Sequence, residues 1–358
     1  MKQFLISGYL GFENFGDEAL LHVLIQNLLD TGVKKENITV ISNTPAKTKI
    51  MHGINSVHRW NMFEVLSALI NNDALIFIGG LFQDKTSFRS FLYYFVQLFM
   101  GKILQKEIVF FGVGLEPFYR KLTHFLFDFG MKRLHLITVR DQTSAHQIPN
   151  AGQVTVTCDP VWSIKPDFSF KNQIPYINWE SPVLGVSLKN DKNLKRQYLL
   201  NIADKLARVL VGMKDWQMLL IPCMPQEDLP VLNELYDLIQ KRVTSSSSIF
   251  LLENFTHFPL LQQAGIIASC DVMVGMRYHA LLVPMINEKP VFGLIYDQKI
   301  KSLIEFSGQI GSVYKDNFDQ PWSYFWQNLE YSAKQAKEAH LRALELHKKN
   351  VELLKQLI

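Results

Sequence analysis

The chain has 358 residues, long enough for two domains of about 150 residues with a core each. Apolar residues make up 48% and charged residues 20%, ordinary globular proportions that exclude a disordered or fibrous protein. Lys and Arg number 37 against 33 Asp and Glu; the net +4 is too weak to argue for nucleic acid, and leaves an anionic substrate or a membrane surface open.

The opening MKQFLISGYLGF has neither a long apolar run nor a small-residue cleavage site, so it reads as a first strand rather than a signal peptide. Strands are expected at Gln3–Ser7, Ile38–Ile41, Ala74–Ile78, Ile108–Val113, His135–Val139 and Val154–Thr157. Helices are expected near Glu18–Leu29, Phe63–Asn71, Phe88–Leu104 and Phe118–Lys132. Pro166, Pro175 and Pro182 then fall within a stretch of little periodicity, which marks a linker over 166–182 between domains at 1–165 and 183–322. Alternation restarts with strands at Val183–Leu188, Met218–Pro222, Ile249–Leu252, Asp271–Val274 and Val291–Leu294. The helices between them fall near Leu194–Met213, Asp228–Arg242, Phe258–Ser269 and His279–Asn287. Ser245–Ser248 reads as a flexible connector, and a long charged helix from about Ser323 to Leu357 closes the chain, within a C-terminal segment 323–358. Apolar strands alternating with helices imply an α/β fold with two parallel sheets, whose ligands sit at the carboxyl ends of strands.

Cys158, Cys223 and Cys270 are odd in number and far apart, which suits a reducing compartment and offers no disulfide framework. No cluster of His, Asp and Glu suggests a metal, and no Gly-x-Ser-x-Gly or Cys–His signature suggests a nucleophile. With no run near the ~20 apolar residues of a spanning helix, the chain is expected in the cytoplasm, at most peripheral to a membrane. Phe88–Leu104 is the most apolar helix and reads first as a buried core element. The alternative is an interfacial helix, with Arg89, Lys102, Arg120, Lys121, Lys132 and Arg133 meeting anionic headgroups.

The first strand runs into a loop carrying Gly8, Gly11, Asn14, Gly16, Asp17 and Glu18. The glycine spacing is not that of a dinucleotide fingerprint, and Asp17 and Glu18 at a helix start would repel a pyrophosphate. An acidic loop of this kind fits neutral sugar hydroxyls, and equally fits a helix cap with a tight turn. The strand ending at Gly79 and Gly80 continues into Gln83, Asp84, Lys85, Thr86 and Ser87, a candidate ligand loop. Arg140 directly follows a buried strand, where it can fork onto a carboxylate or phosphate, or pair locally with Asp141.

In the second half, Gly275-Met276-Arg277-Tyr278-His279 joins a strand to a helix. Backbone N–H groups, an Arg and a His there make an anion site with its own proton donor. One strand later, Tyr296-Asp297-Gln298-Lys299 brings a further cation to the same rim.

With these segments in view, the chain resembles the polysaccharide pyruvyl transferase family, and within it the bacterial cell-wall (CsaB-type) branch. The matching stretches are GYLGFENFGDEAL, GGLFQDKTSFRS, VRDQTS, CDPVW, SCDVMVGMRYHALL and PVFGLIYDQKI, in family order from residue 8 to residue 300. Leu81 stands where the family has a third glycine, Tyr278 where leucine is usual, and GVGLEP replaces a glycine–proline turn. The resemblance implies a GT-B-like fold, two Rossmann-like domains facing across a cleft. It implies transfer of pyruvate from phosphoenolpyruvate to two sugar hydroxyls as a cyclic ketal, with loss of phosphate. The implied acceptor is an N-acetylmannosamine residue on a lipid-linked cell-wall precursor, in a pathway serving S-layer anchoring, and no cofactor is implied.

By matching positions the resemblance makes His279, Arg140 and Lys299 catalytic, and protonation of a vinyl carbon suits a histidine, whose unperturbed pKa is ~6.5, which makes His279 the expected proton donor. Arg277, Arg140, Lys299 and Gly275 would hold phosphoenolpyruvate, and Asn14, Gly16, Asp17, Glu18, Gln83 and Asp84 the acceptor. A nucleotide-sugar glycosyltransferase and a non-catalytic ligand-binding protein are the rival readings, and the oligomeric state stays open.

Overall fold

The computed structural model describes residues 2–358 except Thr86, Arg133, 149–153, Lys214 and 244–247. Thr86 of the candidate ligand loop, Arg133 of the basic flank and 245–247 of the serine loop therefore lie outside the described residues. The chain divides into two compact units, Met1–Ser163 with Ala343–Ile358, and Ile164–Arg342.

The first unit holds strands β1 (Phe4–Ser7), β2 (Ile38–Ser42), β3 (Asn55–His58), β4 (Ala74–Gly80), β5 (Glu107–Gly114), β6 (Leu136–Val139) and β7 (Val154–Val156). They lie side by side, all parallel, in the order β3-β2-β1-β4-β5-β6-β7. Helices α1 (Phe15–Asp30), α2 (Pro45–His52), α3 (Met62–Asn71), α4 (Phe88–Ile103), α5 (Lys121–Met131) and the short α6 (Gln142–Ala145) connect them. The central strands FLIS and ALIFIGG are buried almost throughout, the continuous apolar run of a parallel strand covered on both faces. Strand order reverses between β1 and β4, so ligand-binding loops are expected at the carboxyl ends there.

The second unit repeats the plan with β8 (Val183–Ser187), β9 (Gln217–Leu220), β10 (Ile249–Leu251), β11 (Val272–Gly275), β12 (Val291–Ile295) and β13 (Ile310–Val313). Their order is β10-β9-β8-β11-β12-β13, again all parallel, with the reversal between β8 and β11. Its helices are α7 (Arg196–Gly212), α8 (Pro225–Gln240), α9 (Leu260–Ala268), α10 (Tyr278–Ile286), α11 (Gln298–Ser307) and α12 (Asp319–Gln327), and α13 (Leu329–Lys355) begins in it.

Several sequence expectations are corrected. The segment 166–182 belongs to the second unit, where Phe170, Ile174 and Ile177 are buried; its prolines break periodicity without loosening the packing. The closing helix is two helices, because Asn328 leaves helical geometry (φ −129°, ψ 36°) between α12 and α13. Its last part, from Ala343, joins the first unit. There Thr157 Oγ1 donates to Asn350 Oδ1 at 2.8 Å, and Asn27 Nδ2 meets His347 Nε2 at 3.2 Å. The edge strands β3 (NSVH) and β13 (IGSV), each four residues and half-buried, carry too little apolar signal to read from sequence.

Helix α4 is not the fully buried element expected first. Phe91, Tyr94, Phe95 and Leu98 face the core, while Leu92, Val96, Phe99 and Ile103 line an exposed stripe at helical spacing. Aromatic residues on both faces hide that division from a sequence reading.

Candidate active site

In the second unit, four strands deliver charged side chains to the carboxyl end of the sheet. β11 ends at Gly275, where a Cβ would stand 3.0 Å from the Ser187 carbonyl oxygen of β8, so glycine permits the close pairing. Arg277 follows in extended geometry (φ −85°, ψ 124°) as the residue preceding α10, which places His279 in the first turn of that helix. The Tyr278 and His279 rings meet edge to face with centroids 5.1 Å apart. β8 leads to Lys189, and β12 leads through Tyr296 and Asp297 to Lys299 in the first turn of α11. The Lys189 and Lys299 ammonium groups lie 5.9 and 5.8 Å from the centroid of the same Tyr296 ring. β9 leads to α8, whose first turn holds Glu227 and Asp228.

Arg277 is already engaged. Its Nε donates to both carboxylate oxygens of Asp228 at 3.0 Å, and its Nη2 bonds Glu227 at 2.9 Å and Asp228 as well. Asp228 has no exposed surface, and it also accepts from the Met224 amide at 2.9 Å. Burial pushes the Asp228 carboxyl up against the pull of Arg277. Burial disfavours the Arg277 charge too, but Asp228 and Glu227 outweigh it and hold the guanidinium above its usual range. Arg277, expected as a donor ligand, ties α10 to α8 in this structure.

Lys189 carries the clearest electrostatic signature. Burial lowers its pKa, and repulsion from Lys299 and Arg277 lowers it further, against attraction from Glu227, 3.8 Å away, and from Asp297. Lys299 is 3.5 Å from Asp297. Burial raises the Tyr296 hydroxyl to about 12 and the Cys223 thiol to about 12, so neither is ionised near neutrality. Cys158 and Cys270 are buried and shifted upward for the same reason, leaving no reactive thiolate.

In the first unit, most of the expected acceptor residues build the loops themselves. Asn14 accepts from the Gly16 amide at 3.1 Å and caps α1. Glu18 is buried, accepting from the Gly11 amide at 2.8 Å with His52 Nε2 at 3.3 Å. Asp84 is buried and accepts from the Tyr119 and Arg120 amides, both at 2.9 Å. Glu18 and Asp84 hold backbone amides of the neighbouring loops, as a buried carboxylate takes the nearest N–H groups. Asp17 and Gln83 are half-buried at the carboxyl ends of β1 and β4. Arg140 has its guanidinium over Gly114, where a Cβ would collide with it, 3.3 Å from Asp141 and 3.6 Å from the buried Asp159.

Lys189, Asp228 and Arg59 escape the sequence reading. Lys189 sits just past a strand, the signal that singled out Arg140; Asp228 falls inside an ordinary charged helix start; Arg59 follows the unread strand β3. Among the described residues no group of three His, Cys, Asp or Glu side chains could hold a metal ion.

A depression of 530 Å³ between β3 and α3, lined by Asn55, Phe63, Glu64 and Asn71, flanks the edge of the first sheet.

Comparison with solved structures gives the fold. UDP-GlcNAc 2-epimerase from Neisseria meningitidis bound to UDP-GlcNAc superimposes with a TM-score of 0.64, covering 99% of each chain at 13% identity. MnaA of S. aureus with UDP gives 0.64, over 95% of this chain and 91% of that one at 13% identity. Anabaena Alr3699/HepE with UDP gives 0.62, over 99% of this chain and 100% of that one at 13% identity. The fold is α/β and GT-B-like. No curated protein sequence matches the chain. The profile of the polysaccharide pyruvyl transferase family matches residues 14–298, which takes in Arg140, Lys189, Arg277 and His279, and the chain belongs to that family.

Proposed function

We propose that the protein transfers the pyruvyl group of phosphoenolpyruvate to two hydroxyls of a saccharide, forming a cyclic ketal and releasing phosphate. One observation carries this reading: at the carboxyl end of the second sheet the Lys189 and Lys299 ammonium groups share the Tyr296 ring, with His279 in the first helical turn after β11, and a bound polyanion relieves the repulsion that, after burial, lowers the Lys189 pKa. Phosphoenolpyruvate presents a carboxylate and a phosphate to such a site. His279 gives a proton to the vinyl carbon, which becomes the methyl group, while the first hydroxyl oxygen bonds C2. The C2–O bond to phosphate then breaks, and the second hydroxyl oxygen takes its place. Of the two hydroxyl protons, one restores His279 and one leaves with phosphate. Lys189 and Lys299 hold the donor. Asn14, Asp17 and Gln83 remain as acceptor contacts.

The proposed acceptor is lipid-linked, an N-acetylmannosamine-type residue on a cell-wall precursor. The exposed face of α4 and α5 supports contact with an anionic lipid surface. Phe99 and Phe129 rings lie 6.3 Å apart, with Ile103 and Phe125 exposed beside them, and Arg89, Arg120, Lys121 and Lys132 nearby in sequence. No described helix is long and apolar enough to cross a membrane.

The deciding experiment measures phosphate release from phosphoenolpyruvate with synthetic N-acetylhexosamine acceptors, free and diphosphate-lipid-linked, beside a parallel series with UDP-sugars. Phosphate release dependent on acceptor supports pyruvyl transfer. Turnover of a UDP-sugar without phosphoenolpyruvate would establish instead the nucleotide-sugar chemistry suggested by the UDP in the MnaA and HepE structures.

A further inference from the structure

Arg59 is a buried cation that this chemistry leaves without a task. It directly follows β3, is 6% exposed, and has no ion-pair partner among the described residues. Its amide donates to the Ser42 carbonyl at 2.9 Å, and its own carbonyl accepts from the Tyr93 hydroxyl at 3.2 Å. The guanidinium carbon lies 4.9, 5.1 and 4.5 Å from the ring centroids of Phe12, Trp60 and Tyr93. Three aromatic faces offset part of the cost of burying the charge, but they do not satisfy its Nε–H.

Arg59 Nε is one of three buried polar atoms here with no hydrogen-bonding partner; the others are Tyr94 Oη and Gln97 Nε2 on α4, both residues 2% exposed. The carboxamide oxygen of Gln97 is taken by Ser7 Oγ at 2.6 Å, so its nitrogen is left to donate. Burial drives the Tyr94 hydroxyl upward and keeps it protonated, against the charge and hydrogen-bonding reach of Arg59, while Asp17 acts in the same direction as burial. Three buried donor atoms without a well-formed hydrogen bond, one of them on a charged group, therefore gather beside the carboxyl ends of β1, β2 and β3, on one side of the reversal of strand order between β1 and β4. A ligand with several acceptor oxygens and a negative charge matches that set.

We infer that Arg59, Tyr94 and Gln97 form an anion pocket that receives a phosphoryl group of the acceptor, while Asp17 beside it meets a sugar hydroxyl. The inference rests on the acceptor-side reading of the first unit given above. A glycosyl diphosphate presents both chemistries on neighbouring atoms. The alternative source of the same chemistry is the phosphate of the donor.

The test compares wild type with Arg59→Gln, Arg59→Lys and Tyr94→Phe. Inorganic diphosphate binding is measured by calorimetry, and KM is measured for phosphoenolpyruvate, for a diphosphate-linked acceptor and for a neutral glycoside of the same sugar. Arg59→Gln is expected to raise the KM of the diphosphate acceptor by about 10- to 150-fold and to weaken diphosphate binding by a similar factor. The neutral glycoside and phosphoenolpyruvate should be unaffected, and Tyr94→Phe, which removes a single oxygen, should show the same pattern at about 2- to 10-fold. Arg59→Lys keeps the charge under the aromatic rings and should recover part of the loss if Arg59→Gln fails to fold. Equal losses on both acceptors, or a rise confined to phosphoenolpyruvate, would overturn the pocket. If neither acceptor is pyruvylated, pyruvyl transfer itself fails, and diphosphate affinity unchanged by Tyr94→Phe and Arg59→Lys then sinks the pocket independently.

Discussion

Arg277 grips Asp228 through Nε bonds of 3.0 Å to each carboxylate oxygen, and Asp228 is entirely withdrawn from solvent. Removing one member of a buried pair strands the other charge, at a cost of about 3–5 kcal/mol. Arg277→Gln is therefore expected to destabilise the second unit by that order in urea unfolding. A variant of unchanged stability with a raised phosphoenolpyruvate KM would return Arg277 to the donor site.

His279→Gln should retain the fold and donor binding while kcat falls by ~10²–10⁴, the scale for loss of a general acid. Retained turnover would remove His279 from the proton transfer.

Lys299→Ala is expected to raise the phosphoenolpyruvate KM by about 10- to 150-fold with little change for the acceptor, and Lys299→Arg should be milder. Arg140→Lys should not recover its contacts with Asp141 and Asp159, because a point charge cannot replace the guanidinium fork. A rise in acceptor KM alone on Lys299→Ala would place the donor elsewhere.

Lys189 gives the donor site a pH dependence. Its pKa is lowered without ligand, and a bound anion raises it, so binding takes up a proton once pH exceeds the ligand-free value. Affinity for phosphoenolpyruvate should be full below that value and fall as pH rises through it. Lys189→Arg, charged throughout, should flatten this alkaline limb; an unchanged profile would dissociate Lys189 from the donor.

His347, buried against Asn27, has its pKa lowered to about 4 by burial, whereas the unfolded side chain titrates near ~6.5. The unfolded chain then binds the extra proton between these values, so stability from this residue is complete above about 6.5 and lost as pH falls toward 4. The loss is on the order of 3 kcal/mol. Acid unfolding of His347→Gln should show a shallower slope over this range than wild type.

Much of the strand frame and the strand-to-helix turn at Gly275–His279 can be read in the sequence, because buried parallel strands are uninterrupted apolar runs. The partners of Glu18, Asp84 and Arg277 are not legible, because a sequence shows a charge without showing which backbone amide or carboxylate it meets on folding. Tyr94 and Gln97 lie 35 and 38 residues beyond Arg59 along the chain, and only the folding of β3, β2, β1 and α4 side by side brings them together.

The helix α13 changes membership at Ala343, and that has a consequence for how the chain is made. Asn27, Thr157 and Cys158 of the first unit take partners from His347, Asn350 and Ala343. During synthesis the first 163 residues emerge before these partners exist, and all of residues 164–342 must follow first. The hydrogen bonds that α13 lends the first unit therefore form only after the whole second unit has been made, so completion of the first unit is tied to the last part of the chain to be synthesised.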